Sequence, residues 1–285
     1  MDDRMQEMMS EFFRYDEDLP LEAVETEHGA DSRGHRQYHV TFTSTHDQRV
    51  PALLTLPSQA NAPFPAFPVV LILHGVLGHK DSYNQQKRSA HLARAGYATL
   101  RIDGQYRGER EVSFGGEFGL QNHYYYRNRD AMMQTAVDLM RAVDFLTTRD
   151  DIDASRIGFA GFSMGGAIGT LFCAHDTRVR AVVLGITGGD FRRLRIGTAD
   201  ERSEARMRQA YQIVDPVLYV HRISPRPLLM LNAAHDEVVP KAATGALFNA
   251  ASEPKRIVWY DCGHTDLPDE MLVEMTRFFD GEFTR

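Results

Sequence analysis

Six short apolar runs, separated by stretches with helical periodicity, recur from residue 68 onward and limit the folds that this chain can adopt. The runs are Val69–Leu73, Tyr97–Ile102, Ile157–Phe162, Ala181–Ile186, Leu228–Leu231 and Ile257–Tyr260. Runs that are apolar at almost every position are typical of strands covered on both faces, as in a parallel sheet. The alternation of such strands with helices predicts a doubly wound α/β sheet with right-handed crossovers.

Two segments upstream of these runs alternate in hydrophobicity. In residues 38–42 and 50–56 an apolar side chain falls at every second position, which is typical of half-buried antiparallel strands. Helices are predicted over residues 85–95, ended by a left-handed Gly96, and over residues 130–148. The predicted fold class is therefore α/β, with a mostly parallel sheet that begins with antiparallel strands.

The length favours a single domain over residues 1–285 that carries insertions. The chain has 285 residues, 43% of them hydrophobic, and single α/β domains often exceed ~200 residues. Residues 1–30 are expected to form an irregular acidic arm with a short amphipathic helix, which packs on the domain, contacts a second subunit or covers a site at the sheet edge. Residues 103–128 and 187–225, with a helix near 200–212, are too long for plain turns and are expected to form a small cap.

Charge and cysteine content exclude several classes of partner. The formal net charge is −7 and the sequence has no basic tract, so we expect no nucleic-acid partner. The longest aliphatic run is far shorter than the ~20 residues that span a bilayer, so we expect no membrane partner. Cys173 and Cys262 are too few for a disulfide framework, and the first residues lack the apolar stretch of a secretory signal, so we expect a cytoplasmic location. The sequence leaves a homo-oligomer open.

The most specific motif is Gly161–Gly166, which reads G-F-S-M-G-G and matches G-x-S-x-G. In this motif a serine sits on a sharp turn between a strand and a helix, and glycines relieve the crowding of that turn. Residues 156–162 fit a strand and residues 167–174 fit a helix, so the required context is present. Ser163 is therefore predicted to be a nucleophile at a helix N-terminus, where developing negative charge is favoured.

The loop Leu73–Gly78 follows the first parallel strand and reads L-H-G-V-L-G. Attack of a serine on a carbonyl creates an oxyanion that needs two backbone N–H donors. We expect Met164, next to the nucleophile, and Val76, in this loop, to supply them as an oxyanion hole. His74 is expected to hold the loop in place by hydrogen bonding.

A serine nucleophile needs a general base, because the hydroxyl is a poor nucleophile at its own pKa. His264 follows the last apolar run and is the best placed of the 12 histidines. The alternatives are His235, His123 and His221. We therefore expect His264 to take the proton of the serine.

The acid that orients the base is predicted after the penultimate apolar run. Asp236 stands at that position, and Glu237 is the alternative. The resulting chain order is Ser163, Asp236 and His264, which differs from the orders of the chymotrypsin and subtilisin types.

Together these motifs resemble the α/β-hydrolase superfamily of serine hydrolases. Asp103–Arg110, Asp151–Ile157 and Ile223–Pro227 are similar to segments of its dienelactone-hydrolase and acetyl-xylan-esterase branches. The resemblance implies an esterase that cleaves a small-molecule ester through an acyl-enzyme and needs no cofactor or metal. Dienelactone hydrolases use a cysteine nucleophile, so Ser163 argues against that activity. A peptidase or amidase, a cofactor-free haloperoxidase and a non-catalytic binding protein remain as alternatives.

Aromatic residues are concentrated at the end of the insertion over residues 103–128. His123, Tyr124, Tyr125 and Tyr126 follow one another there. We expect His123 and one or two of the tyrosines, in extended chain, to contact substrate, because consecutive residues point in different directions. The alternative is that these aromatic side chains fill a local core.

Overall fold

The computed structural model describes residues 3–31, 34–58, 66–112, 124–194 and 200–284, and these contain one sheet of nine strands. The strands are β1 (Val24–Ala30), β2 (Arg36–Thr43), β3 (Arg49–Leu56), β4 (Phe67–Leu73), β5 (Ala98–Ile102), β6 (Ile152–Phe162), β7 (Val179–Gly185), β8 (Leu228–Ala233) and β9 (Lys255–Tyr260). Their order is β1-β2-β3-β5-β4-β6-β7-β8-β9. Pairing is antiparallel from β1 to β5 and parallel from β5 to β9. The predicted mostly parallel sheet with antiparallel first strands is confirmed.

Helices cover the two faces of this sheet. The described α-helices are α1 (Asp3–Glu11), α2 (Tyr83–Arg94), α3 (Tyr125–Thr147), α4 (Met164–His175), α5 (Glu201–Tyr211), α6 (Lys241–Ala250) and α7 (Glu270–Phe283). In β4, Val69, Leu71 and Leu73 join a core with residues of α3 and α4, whereas Val70 and Ile72 join one with residues of α2 and α7. Since alternate side chains of a strand face opposite sides, the central strands are apolar at nearly every position.

Two predicted helices are confirmed with shifted bounds. Gly96 follows α2 with a φ of 90°, the left-handed conformation expected of a residue that ends a helix. Helix α3 begins five residues before its predicted start, at Tyr125 instead of residue 130. Among the described helices, none combines the length and the apolar character that crossing a membrane requires.

The amino-terminal arm contains a strand that the sequence did not predict. Strand β1 has exposed side chains throughout, so it lacks the apolar alternation that marks a half-buried strand. Its backbone pairs with β2, and Glu25 forms an ion pair with Arg149. Before β1, the side chains of Met9 and Phe13 are buried in the core, and Phe13 stacks on His175 with ring centroids 4.3 Å apart. The described arm therefore packs on the sheet and its helices.

The two predicted insertions differ in how well the sequence located them. The one expected over residues 103–128 is shorter than predicted, because α3 already begins at Tyr125. The one expected over residues 187–225 contains α5, close to its predicted position. Helix α5 packs on α3, where the side-chain amide of Asn128 donates a hydrogen bond to the Tyr211 hydroxyl at 3.1 Å.

The aromatic cluster on α7 gives a test of the core between the sheet, α2 and α7. Phe279 is fully buried beside the rings of Tyr97 and Phe283, whereas its neighbour Phe278 is partly exposed. Phe279→Ala is expected to lower the free energy of unfolding by about 3–5 kcal/mol, because a cavity replaces a buried ring. Phe278→Ala, the matched control, is expected to cost less than half as much. Chemical denaturation measures both, and equal losses would contradict this packing.

Candidate active site

Ser163 lies on a one-residue turn between β6 and α4, as the G-x-S-x-G motif predicts. Its φ is 55° and its ψ is −122°, a conformation that is strained for a residue with a side chain. The backbone N–H of Ser163 donates to the carbonyl of Gly185 at 2.8 Å, and its carbonyl accepts the N–H of Gly166 at 2.9 Å. These bonds hold the serine in its strained conformation at the carboxyl edge of the sheet.

Glycines around the serine allow three backbone segments to approach one another. A Cβ atom at Gly165 would lie 2.5 Å from the carbonyl oxygens of Leu73 and His74, and one at Gly161 would lie 2.3 Å from the carbonyl oxygen of Gly165. Real Cβ atoms do not come this close to backbone atoms. The glycines therefore bring the end of β4 and its loop against the start of α4, beside Ser163.

Asp236, His264 and Ser163 form a continuous hydrogen-bonded chain. Nδ1 of His264 lies 2.7 Å from Oδ2 of Asp236, and Nε2 of His264 lies 3.0 Å from Oγ of Ser163. An ionised carboxylate only accepts hydrogen bonds, so the histidine donates through Nδ1 and its Nε2 is left to accept the serine proton. Oδ1 of Asp236 accepts the backbone N–H groups of Val238 and Val239 at 2.9 and 2.7 Å, and these bonds fix the carboxylate.

The adjacent strands β8 and β9 explain why Asp236 and His264 meet. Beyond the strands, the N–H of Ala234 donates to the carbonyl of Tyr260 at 2.8 Å, and the N–H of His235 donates to the carbonyl of Cys262 at 3.0 Å. The two chains therefore stay paired past the sheet edge. As a result, the turn that carries Asp236 and the loop that carries His264 leave the sheet side by side.

The sequence also allowed other histidines as the base and Glu237 as the acid. Those that the structure describes are not part of the hydrogen-bonded chain of Ser163, His264 and Asp236. His235 is 71% exposed and pairs with Asp261 at 2.7 Å. Glu237 is exposed, and His221 lies in the helical turn Val220–Ile223, away from the residues that line the cavity next to the serine. His123 lies outside the described residues.

His74 holds its loop in place, as expected from the sequence. Its Nδ1 lies 2.8 Å from the carbonyl oxygen of Gly75, and its Nε2 lies 3.0 Å from the backbone nitrogen of Gly104. A ring that donates through Nδ1 and accepts through Nε2 is neutral. Burial agrees with this state, because it lowers the pKa of His74 to about 4. The histidine thus ties the loop after β4 to the segment after β5.

The two expected oxyanion donors flank the serine. Met164 is the first residue of α4, so its backbone N–H has no acceptor within the helix. Val76 lines the same cavity as Ser163. The Cβ position of Gly75, one residue before Val76, lies 3.5 Å from the Cβ of Ser163. The loop is therefore in contact with the serine.

A buried ion pair, which the sequence did not predict, supports this loop. Asp103, fully buried after β5, accepts the backbone N–H of Lys80 at 2.8 Å, its ammonium at 2.7 Å and the N–H of Glu109 at 3.0 Å. Gly108 makes room for the carboxylate: its φ is 56°, and a Cβ there would lie 2.3 Å from Asp103. In the sequence, Asp103 stands directly after an apolar strand. The sequence does not show that it pairs with Lys80, because that contact depends on the tertiary structure.

A cavity of about 420 Å³ lies next to Ser163. Tyr124, Tyr125 and Tyr126 are not among the residues that line it, and their contact with substrate stays a prediction. The expectation that they lie in extended chain is wrong, since α3 includes Tyr125 and Tyr126. The cause is the early start of α3, which turns Tyr125 toward Tyr211 at a ring-centroid distance of 6.4 Å and leaves the other two tyrosines about half exposed. The alternative of a local core therefore describes Tyr125.

The walls of the cavity come from three elements, of which the sequence predicted only the first to lie beside the serine. They are the loop after β4, the first half of α2 and the segment that leads from His264 into α7. The apolar lining residues are Val76, Leu77, Phe162, Ile186, Leu267, Met271 and Leu272. The sequence did not show that α2 lines this cavity, because nothing in the sequence of a helix indicates which strand end the helix covers.

The described residues hold no group of three histidine, cysteine, aspartate or glutamate side chains close enough to bind a metal ion. Cys173 and Cys262 are both buried free thiols. Burial raises the pKa of each thiol, so neither is a thiolate at neutral pH.

Comparison with known proteins gives a family match. The model of a family described as acetyl xylan esterase (AXE1) matches residues 2–195. A putative hydrolase of Bacillus subtilis, YtaP, is 27% identical over 219 residues, which cover 68% of this chain and 67% of that protein. The uncharacterized protein YfhR of Escherichia coli K12 is 26% identical over 148 residues, about half of its length. The family match includes Ser163 and ends before Asp236 and His264.

Solved structures show the same fold. An acetyl xylan esterase from Paenibacillus sp. R4 superposes with a TM-score of 0.77 at 22% identity, covering 98% of this chain and 92% of that one. Acetyl xylan esterase 1 from Thermoanaerobacterium sp. JW/SL YS485 also gives a TM-score of 0.77, at 19% identity, covering 99% of this chain and 94% of that one.

The ion pair of Lys80 with Asp103 gives a testable prediction. Gly108→Ala places a methyl group against the Asp103 carboxylate and strains a residue at positive φ. We expect ester turnover to fall by about tenfold or more, because the loop that carries Val76 loses its support. Gly245→Ala is the control, since a Cβ there meets nothing within 4 Å. Equal activities of the two variants would contradict the supporting role.

Proposed function

The chain belongs to the acetyl xylan esterase family, and from that premise we propose that it cleaves carboxylic esters through an acyl-enzyme on Ser163. Membership in this family makes the protein a carboxylesterase-type hydrolase. The observation that carries the proposed mechanism is the hydrogen-bonded chain from Asp236 through His264 to the serine, with distances of 2.7 and 3.0 Å. Such a chain is the geometry that activates a serine hydroxyl.

In the first step Oγ of Ser163 attacks the ester carbonyl carbon, and Nε2 of His264 takes the hydroxyl proton. Asp236 holds the imidazole in the tautomer that accepts this proton and stabilises the resulting cation. The carbonyl oxygen becomes an oxyanion, which the N–H groups of Val76 and Met164 stabilise. The N-terminus of α4 lies at the same point and adds a favourable partial positive charge.

In the second part of the cycle the tetrahedral intermediate collapses and the ester C–O bond breaks. His264 donates its proton to the departing alcohol and leaves an acyl group on Ser163. Water then attacks the acyl carbon, His264 takes a proton from that water, and the second tetrahedral intermediate releases the carboxylic acid. The histidine returns the proton to Oγ, so the enzyme is regenerated without a redox partner.

The description of the family and the names of the two structural neighbours support acetyl esters as a first substrate class. The cavity volume of about 420 Å³ fits a small ester. The apolar part of its wall would exclude water from the reacting carbonyl, which strengthens the hydrogen bonds that stabilise the oxyanion.

Ser163→Ala tests the nucleophile. We expect turnover of para-nitrophenyl acetate to fall by about 10⁴-fold or more, because no other group forms the acyl-enzyme. Ser155→Ala, at an exposed position near the start of β6, is the control and is expected to keep its activity. Steady-state rates and melting temperatures of both variants separate loss of chemistry from loss of fold. Substantial turnover by a folded Ser163→Ala protein would exclude this serine as the nucleophile.

Asp236→Asn and Glu237→Gln form a matched pair that tests the orienting acid. An amide at residue 236 cannot hold His264 in the accepting tautomer, so we expect a loss in kcat of about 10⁴-fold. Glu237→Gln is expected to change kcat by less than about threefold, since among the described residues the carboxylate that His264 bonds is Asp236 and Glu237 is exposed. If kcat fell in the Glu237→Gln protein and not in the Asp236→Asn protein, Glu237 would be the orienting acid.

A further inference from the structure

Arg88 is a buried cation in the wall of the cavity next to Ser163. It lies on the face of α2 that packs on the sheet, and its residue surface is only 7% exposed. Its guanidinium carbon lies 3.7 Å from the centroid of the Phe162 ring, the residue that directly precedes Ser163. The cation is therefore within a few bond lengths of the turn that carries the proposed nucleophile.

This cation lacks a counter-ion among the described residues. The ring of Phe162 is its described partner, and no carboxylate or hydrogen-bond acceptor is paired with it. Burial is the cause that lowers its pKa, to about 10, so the side chain is still charged at neutral pH. Lys87, the neighbouring cation at the same cavity, differs because it forms an ion pair with Asp269 at 2.5 Å. Burial of an unpaired charge is costly unless a ligand completes its hydrogen bonds.

Gln85 adds a second unpartnered polar group one helical turn from Arg88. It is 1% exposed, it lines the same cavity, and its side-chain oxygen has no hydrogen-bond partner. Residues three apart on a helix are neighbours on one face. Rotation about the last side-chain bond can present either the NH₂ group or the oxygen of Gln85 to a ligand. The two side chains thus offer donors on the same wall of the cavity.

We infer that Arg88 and Gln85 form a subsite for a carboxylate that the ester substrate carries in addition to its scissile bond. A guanidinium binds a carboxylate through two parallel N–H···O bonds, which fits a planar anion better than a neutral group. The inference rests on the proposed function, since it specifies the substrate of that site. This carboxylate belongs either to the acyl part or to the alcohol part of the ester. One pair of test substrates addresses each of the two cases.

For the acyl part, the pair is mono-para-nitrophenyl adipate and para-nitrophenyl hexanoate, which have equal numbers of acyl carbons and differ in charge. For the alcohol part, the pair is para-acetoxybenzoate and its methyl ester. The measured quantity is the ratio of kcat/KM for the charged substrate to kcat/KM for the neutral one. Arg88→Met keeps an unbranched apolar side chain over Phe162 and removes the charge. Arg94→Met, on the exposed face of the same helix, is the control.

We expect Arg88→Met to lower this ratio by about 10- to 100-fold in one of the two pairs, mainly through KM, and Arg94→Met to leave it unchanged. A role in folding alone would lower both rates of a pair together, so the ratio would stay constant. If Arg88→Met still cleaves the neutral esters and its ratio differs from that of the wild type by less than about twofold in both pairs, the inference is overturned. Failure of the wild-type protein to cleave either neutral ester would instead overturn the proposed function, and the inference with it.

A measurement on the wild-type protein covers the case in which Arg88→Met does not fold. Monomethyl adipate, which carries one carboxylate, is expected to compete with para-nitrophenyl hexanoate, whereas dimethyl adipate is expected to compete at least about tenfold less well. Arg88→Lys keeps the charge without the planar pair of donors, so it should weaken that competition and retain part of it. Equal inhibition by the two adipate esters would overturn the inference.

Discussion

The strained backbone of Ser163 is the constraint on which the rest of the site depends. With a φ of 55°, the chain turns from β6 into α4 within one residue, and three backbone segments meet at that turn. Gly161 and Gly165 are required because a Cβ at either position would overlap a carbonyl group. The strain is offset by hydrogen bonds from the neighbouring strand and from α4. The turn presents the hydroxyl above the helix N-terminus and beside the loop that carries Val76.

Two supports then fix the groups around the serine. Pairing of the chains beyond β8 and β9 brings Asp236 and His264 together, so the proposed acid and base do not depend on a long flexible loop. On the other side, His74 and the Lys80–Asp103 ion pair tie the loop after β4 to the segment after β5. Both supports are hydrogen-bonded, and the one with His74, Lys80 and Asp103 is also buried. Such supports hold reacting groups in place before substrate arrives.

The sequence predicted the features that local pattern determines and missed those that depend on tertiary contacts. The parallel strands were predicted because covered strands are apolar at nearly every position, and Ser163 because its turn needs a fixed pattern of glycines. Strand β1 was missed because its exposed side chains carry no apolar alternation. The tyrosines before and in α3 were wrongly expected in extended chain because the start of that helix has no capping signal in the sequence, and its first turn includes Tyr125 and Tyr126. Arg88 was missed because a cation on an amphipathic helix is normally solvated, and only the structure shows that this one is buried.

Labelling of the protein with a fluorophosphonate is the most direct test of the claim that His264 activates Ser163. Peptide mapping by tandem mass spectrometry locates the adduct, and the time course of labelling reports the reactivity of the hydroxyl. We predict one adduct, on the peptide that contains Ser163, and a labelling rate about a hundredfold lower in a folded His264→Gln protein. An adduct on another serine, or a labelling rate that the His264→Gln substitution leaves unchanged, would contradict the claim.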